Sequence, residues 1–176
     1  MRLQEGTPAP AFDALVWNGE KLRLSDYAGK KLWLGFYRYA SCPLCNLRIH
    51  DLIKRYDDFK AKGLNVAAIF QSPPESIAEY VGKQAPPFPL VCDPQEKLYK
   101  LYGLESGLGA YLSPKNLGPG AKAIRLGFMP GKMEGTKTRI PGDFLIGPDG
   151  RIQKAFYGEV ISDHIPFEEV EKFLGK

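Results

Sequence analysis

Apolar positions in this chain fall into short blocks, and the period at which they repeat changes from block to block. Residues 32–37, Leu-Trp-Leu-Gly-Phe-Tyr, are apolar on both faces, as a central strand buried on both sides would be. From Pro43 the period becomes helical. Leu47, Ile49, Leu52, Ile53, Tyr56 and Phe59 share one broad face, charged residues fill the other, and Gly63 supplies the stop. Residues 66–70, Val-Ala-Ala-Ile-Phe, predict a second buried strand. Ser72-Pro73-Pro74-Glu75 reads as a capping box opening a helix to about Lys83. Residues 88–92 predict a short strand, and Asp93-Pro94-Gln95-Glu96 repeats the capping logic ahead of a helix to about Tyr102.

The flanks are simpler. Prolines keep residues 5–10 extended. Residues 12–24 alternate around Asn18-Gly19, a hairpin signal, and Ser25 caps a short turn over residues 26–29. Residues 143–146, the turn Gly147-Pro148-Asp149-Gly150 and residues 151–157 predict strand, turn and strand. An amphipathic helix over residues 166–174 closes the chain. Between Leu104 and Arg139 the pattern breaks down into glycine, proline and lysine, with room for one short helix within 117–128. A segment of that length inside a domain is usually functional or mobile.

Early alternation of strands and helices implies an α/β fold with parallel strands and helices on both faces, and the final hairpin adds antiparallel edges. The expectation is one domain over residues 1–176, a central mixed sheet flanked by helices, with an insertion at about 104–140. Reactive groups in such sheets gather beyond the carboxyl ends of the strands. Cys42-Pro43-Leu44-Cys45 lies at that place, between the first core strand and its helix.

Two thiols three positions apart on the opening turn of a helix share one face and can close a disulfide with little backbone movement. The free N–H groups and partial positive charge at a helix start favour thiolate over thiol. Two other readings of the pair stand beside this one: inert packing cysteines, and half of a zinc site. Zinc would need further ligands from Cys92, His50 and His164, and His50 lies about one and a half turns down the same helix. Cys92 itself reads as a small buried apolar residue.

Composition narrows the class. Apolar residues are 44% and charged residues 25% of 176, ordinary for a globular protein. The net charge of +4 is mild and its carriers are scattered, so nucleic acid is not called for. No apolar leader and no run of about 20 apolar residues is evident, so neither a secretory signal nor a membrane span is expected. Three cysteines do not make a disulfide scaffold. A cytoplasmic protein is the expectation.

Several stretches carry a family resemblance. Gly6-Thr7-Pro8-Ala9-Pro10-Ala11-Phe12, residues 24–30 and residues 144–152 are similar to the peroxiredoxins, in the alkyl hydroperoxide reductase and thiol-specific antioxidant branch of the thioredoxin fold. Phe36-Tyr37-Arg38 ahead of Cys42-Pro43-Leu44-Cys45-Asn46-Leu47, with Tyr157-Gly158 and Asp163-His164, resembles its peroxiredoxin-like subgroup. The resemblance implies a redox enzyme that reduces peroxides or disulfides through an intramolecular disulfide of Cys42 and Cys45. It implies no cofactor, an external reductant such as a thioredoxin-type protein or glutathione, and a frame that often forms homodimers. The departures are specific. With the family's attacking cysteine at Cys45, its threonine falls on Cys42 and its proline on Arg38. Its arginine before the facing strand falls on Pro141, with Arg139 two residues away. Pro141 is where thioredoxin-like reductases hold a proline, usually with a cis bond, beside the dithiol. Arg139 is the preferred stabiliser of the thiolate or the departing oxygen, ahead of Arg38 and Arg125. The alternative is a non-catalytic metal-binding or protein-interaction module on the same frame.

Overall fold

The computed structural model describes residues 1–175. Seven strands form one mixed sheet in the order β2-β1-β5-β4-β3-β6-β7. The centre is β3 (Lys31–Phe36), parallel to β4 (Leu64–Phe70), which is parallel in turn to β5 (Leu90–Cys92). The hairpin β1 (Asp13–Val16) and β2 (Lys21–Arg23) adds antiparallel to β5. On the other side β6 (Gly142–Ile146) runs antiparallel to β3 and pairs with β7 (Ile152–Tyr157).

Strand alternation divides the core. Leu32, Leu34 and Phe36 point to one face with Phe144, Ile146 and the tyrosines Tyr99 and Tyr102. Trp33 points to the other, where it packs with Ile49, Leu52 and Phe59 of α1 (Pro43–Ala61) and Phe173 of α6 (Phe167–Leu174). Helices therefore cover both faces, which is why β3 carries no polar alternation. The helix α3 (Lys97–Leu101) supplies the opposite cover through Leu98 and Tyr99.

Two capping expectations change. Ser72 does not cap α2 (Pro74–Glu79), which starts after Pro73 with no side-chain cap and is shorter than the sequence suggests. Ser72 Oγ accepts instead from the Ala40 amide at 2.9 Å, tying the β4–α2 loop to the β3–α1 loop. Asp93 does cap its helix, accepting from Lys97 N and Leu98 N at 2.9 and 2.7 Å. Its supposed capping partner Glu96 has a left-handed backbone (φ 55°) and is spent elsewhere. The insertion holds two helices, α4 (Leu108–Tyr111) and α5 (Leu117–Arg125), and α5 packs on α1.

No cis peptide bond occurs among the described residues, so Pro141 follows a trans bond. Ahead of it, Ile140 N donates to Glu105 O at 3.0 Å, and Arg139 bridges to Ser106, so the chain is extended as it enters β6.

Candidate active site

The carboxyl ends of β3 and β4 deliver the site. Tyr37 N donates to Ile69 O and Gln71 N to Arg38 O, which prolongs the β3–β4 ladder by one step into the loop. The chain then turns through residues 38–41 into α1, with Cys42 as the N-cap residue and Pro43 as the first helical residue. Asn46 holds this turn closed: its amide donates to Ala40 O and Cys42 O at 2.8 and 3.0 Å.

Cys42 and Cys45 are both unbonded thiols and both fully buried. They share donors. The Cys45 amide points at Cys42 Sγ at 3.4 Å, and the Arg38 amide points at Cys45 Sγ at 3.3 Å. The Arg38 side chain folds back over them, with Nη1 3.5 Å from Cys42 Sγ. Its Nη2 donates to Lys137 O of the insertion. Tyr39 and Tyr111 lie about the guanidinium, with ring centroids 4.9 and 5.4 Å from its central carbon.

These contacts split the two thiols. Burial works against a Cys42 thiolate. The Cys45 thiol, the Arg38 charge and the amides of Cys45 and Leu44 outweigh it and bring the Cys42 pKa down to about 6. Burial, the hydrogen bond to Cys42 and the Cys42 charge push Cys45 well above the ordinary thiol value. The contacts thus favour the thiolate at Cys42 and the neutral thiol at Cys45. A cavity of about 400 Å³ reaches Cys42 and Arg38 and is walled by Tyr39, Leu44, Tyr111, Ile124, Met133 and Ile161 among others. Most of that wall is apolar, and Tyr111, Ile124 and Met133 belong to the insertion.

The other sequence candidates lie elsewhere. Arg139 is buried, but its guanidinium pairs with Glu96, donates to Gln71 Oε1 at 3.0 Å and to Leu104 O at 2.9 Å, and makes no contact with sulfur. It acts on the site at one remove, because Glu96 also binds Thr136 N and Oγ1, next to the Lys137 carbonyl that Arg38 grips. Arg139→Met leaves the Glu96 carboxylate without its cation and is expected to cost about 3 kcal/mol of stability in urea unfolding. Pro141 is buried beside the carboxyl end of β3 and its carbonyl accepts from Gly158 N at 3.0 Å. Arg125 is exposed. Cys92 ends β5, and burial with the Glu75 charge pushes its thiol up to about 12, a poor nucleophile. His50 packs its ring on Phe128, and His164 Nδ1 lies 3.0 Å from Asp143 Oδ2. Among the described residues no three His, Cys, Asp or Glu side chains are grouped to hold a metal.

Sequence reasoning missed Asp143. This fully buried carboxylate on β6 accepts from Trp33 Nε1 at 2.8 Å and Ile165 N at 3.0 Å. Burial opposes its charge, but His164, the Arg48 charge and the Ile165 amide hold the carboxyl below its usual range. The available signal was a lone acid inside the apolar run Gly-Asp-Phe-Leu-Ile.

A mixed sheet with a dithiol on the first turn of the helix after its central strand defines a thioredoxin-fold thiol oxidoreductase. The AhpC/TSA family model matches residues 6–155, and the chain belongs to that family. Peroxiredoxin Bcp of Escherichia coli (strain K12) is 28% identical over 162 residues, covering 92% of this chain and 90% of the relative. The thiol-disulfide oxidoreductase ResA of Bacillus thuringiensis (strain Al Hakam) is 23% identical over 176 residues, 99% of this chain and 79% of the relative. Among solved structures, peroxidoxin BcpB of Mycobacterium tuberculosis superposes with a TM-score of 0.70 at 18% identity, covering 99% and 96% of the two chains. No helix among the described residues is long and apolar enough to cross a membrane.

Proposed function

We propose that this oxidoreductase reduces small peroxides, with Cys42 as the attacking sulfur and Cys45 as the resolving one. The observation that carries the reading is the contact of the Arg38 guanidinium with a buried Cys42 sulfur at the floor of a cavity. The Cys42 thiolate attacks one oxygen of the O–O bond and becomes a sulfenic acid, and the other oxygen leaves as alkoxide or hydroxide and takes up a proton. Arg38 N–H groups face the oxygens that gain charge. The Cys45 thiol then attacks the Cys42 sulfur, water leaves, and a Cys42–Cys45 disulfide remains. Two external thiols, from a thioredoxin-type protein or glutathione, return it to the dithiol. That cycle needs a reducing compartment such as the cytoplasm.

Arg139 and Pro141 enter this reading as positioning residues. Arg139 fixes the segment that Arg38 grips, and Pro141 sets the entry of β6 beside the residue that precedes Arg38.

Disulfide exchange is the second reading, and the Cys-Pro-Leu-Cys spacing on one helical turn favours it. There Cys42 would form a mixed disulfide with the substrate and Cys45 would release it. Turnover of hydrogen peroxide, a small alkyl hydroperoxide and insulin disulfides on one preparation separates the two. The peroxides should be consumed well ahead of insulin, because Cys42 is recessed behind the walls of its cavity, where a small oxidant enters more readily than a protein disulfide. Faster insulin reduction would reverse the assignment.

A further inference from the structure

We propose that Arg48 anchors the carboxylate of acidic organic hydroperoxides in a second chamber beside the dithiol cavity, so that the oxidant lies along α1 with its O–O bond at Cys42. The proposal rests on the peroxide reading above and names the class of peroxide that the site takes.

Arg48 is a cation without an anion in contact. Its guanidinium lies over the Phe167 ring, 3.8 Å from the centroid, and 5.5 Å from that of Trp33. It has one acceptor, Ile165 O, bound by Nη2, and its Nε is buried with no partner. A guanidinium carries five N–H groups in a planar fork that matches a carboxylate. Among the described residues no carboxylate forms an ion pair with this one. Asp51 pairs with Lys122 at 3.1 Å and Asp143 with His164 at 3.0 Å. Burial outweighs the more distant charges of Asp143 and Asp51 and pushes the Arg48 pKa down.

The space at this side chain suits an elongated ligand. A cavity of about 310 Å³ lies between α1 and α5, lined by Leu44, Leu47, Arg48, Asp51, Lys122 and Ser162 among others. Lys122 answers Asp51, so Arg48 leaves the lining with one positive charge in excess. This cavity adjoins the one over Cys42. Leu44 walls both, and Gly118 lines the second where Gly120 lines the first. A Cβ at either glycine would meet no atom within 4 Å, so α5 leaves room along both cavities.

The spacing sets the length of the oxidant. Arg48 follows Cys42 by six residues of α1. That is about 9 Å of helix rise, the span of a chain of roughly eight carbons. Leu44 and Ile161 offer its stem an apolar path between the two ends. The chemistry at sulfur is that already described. Cys42 bonds to the outer oxygen, the O–O bond breaks, and the inner oxygen takes up a proton and leaves as a hydroxy acid, its carboxylate still paired with Arg48.

Stopped-flow oxidation of the reduced full chain by terminal hydroperoxyoctanoate and by its methyl ester tests this. The acid should react at least about tenfold faster than the ester, the worth of one charge-assisted carboxylate contact. Hydroperoxybutanoate, too short to span the two chambers, should show no such advantage over its own ester. Arg48→Met should bring the octanoate pair to within about twofold of each other, and Arg48→Lys should keep part of the advantage. Gly118→Leu, which fills the second chamber without touching a charge, should also reduce it. Equal rates for hydroperoxyoctanoate and its ester in the unmodified protein overturn the anchor. So does an undiminished advantage in Arg48→Met, or an equal one for the butanoate pair, since either gives the recognition of charge to Arg38. Should Arg48→Met fail to fold, Gly118→Leu and the chain-length comparison decide. If no hydroperoxide oxidises Cys42, the peroxide reading falls by itself. Calorimetry with octanoate, which needs no reaction, then decides the chamber: binding no tighter than that of octanol overturns it.

Discussion

Cys42→Ser should lower peroxide turnover by at least about a thousandfold, the largest effect of any single change in this protein. A serine hydroxyl at the same N-cap position can still accept from the Cys45 amide, so the helix start survives. What goes is the thiolate, because no hydroxyl ionises near neutral pH. Cys45→Ser should behave differently. Its first turnover should remain, since Cys42 keeps the Arg38 contact, and steady-state turnover should stall for want of the resolving thiol. A probe selective for sulfenic acid should label Cys45→Ser after one equivalent of peroxide and leave the unmodified protein largely unlabelled. Equal steady-state loss with no trapped sulfenic acid in Cys45→Ser would mean that the two sulfurs had been assigned the wrong way round.

Arg38→Met ranks second. The rate of the first oxidation in the unmodified protein should rise with pH through an inflection at about 6, since the thiolate is the reactive form and the Cys42 pKa is held there. Removing the cation takes away one of the contributions that outweigh burial, while the Cys45 thiol and the amides of Cys45 and Leu44 remain. The inflection should therefore move upward by about one to two units. The rate at pH 7 should fall by at least about tenfold, from the lost thiolate fraction and the lost donors to the departing oxygen together. Stopped-flow oxidation across pH 4–9 reads both. An unmoved inflection would place the source of the low pKa in the Cys45 thiol and the amides of the helix start, without Arg38.

Much of this architecture could be read from residue patterns, and the reasons are local. Residues 32–37 and 66–70 are apolar on every position because helices cover both sides, and they became β3 and β4. The helix from Pro43 announced itself through spacing and ended within two residues of Gly63. The dithiol was legible for the same reason: spacing alone puts both sulfurs on one turn. The choice of arginine was not. Arg38 and Arg139 are equally charged, one just ahead of the dithiol in the chain and the other at the end of the insertion. What separates them is a tertiary fact, that Glu96 stands beside one and a thiolate beside the other. Glu96 itself looked like half of a capping box, and its left-handed backbone turns it away from that task. Pro141 illustrates another limit. The isomer before a proline is set by tertiary context that residue patterns do not carry, and the bond before Pro141 is trans.

The recessed position of the two sulfurs makes the molecule a size filter. Compact electrophiles such as iodoacetamide or methyl hydroperoxide should react with Cys42 readily. Dye-bearing maleimides should react more slowly, so labelling yields with bulky reagents will understate how reactive Cys42 is. Free-thiol counts taken on the native fold and on the denatured chain will disagree, and the gap between them measures the shielding.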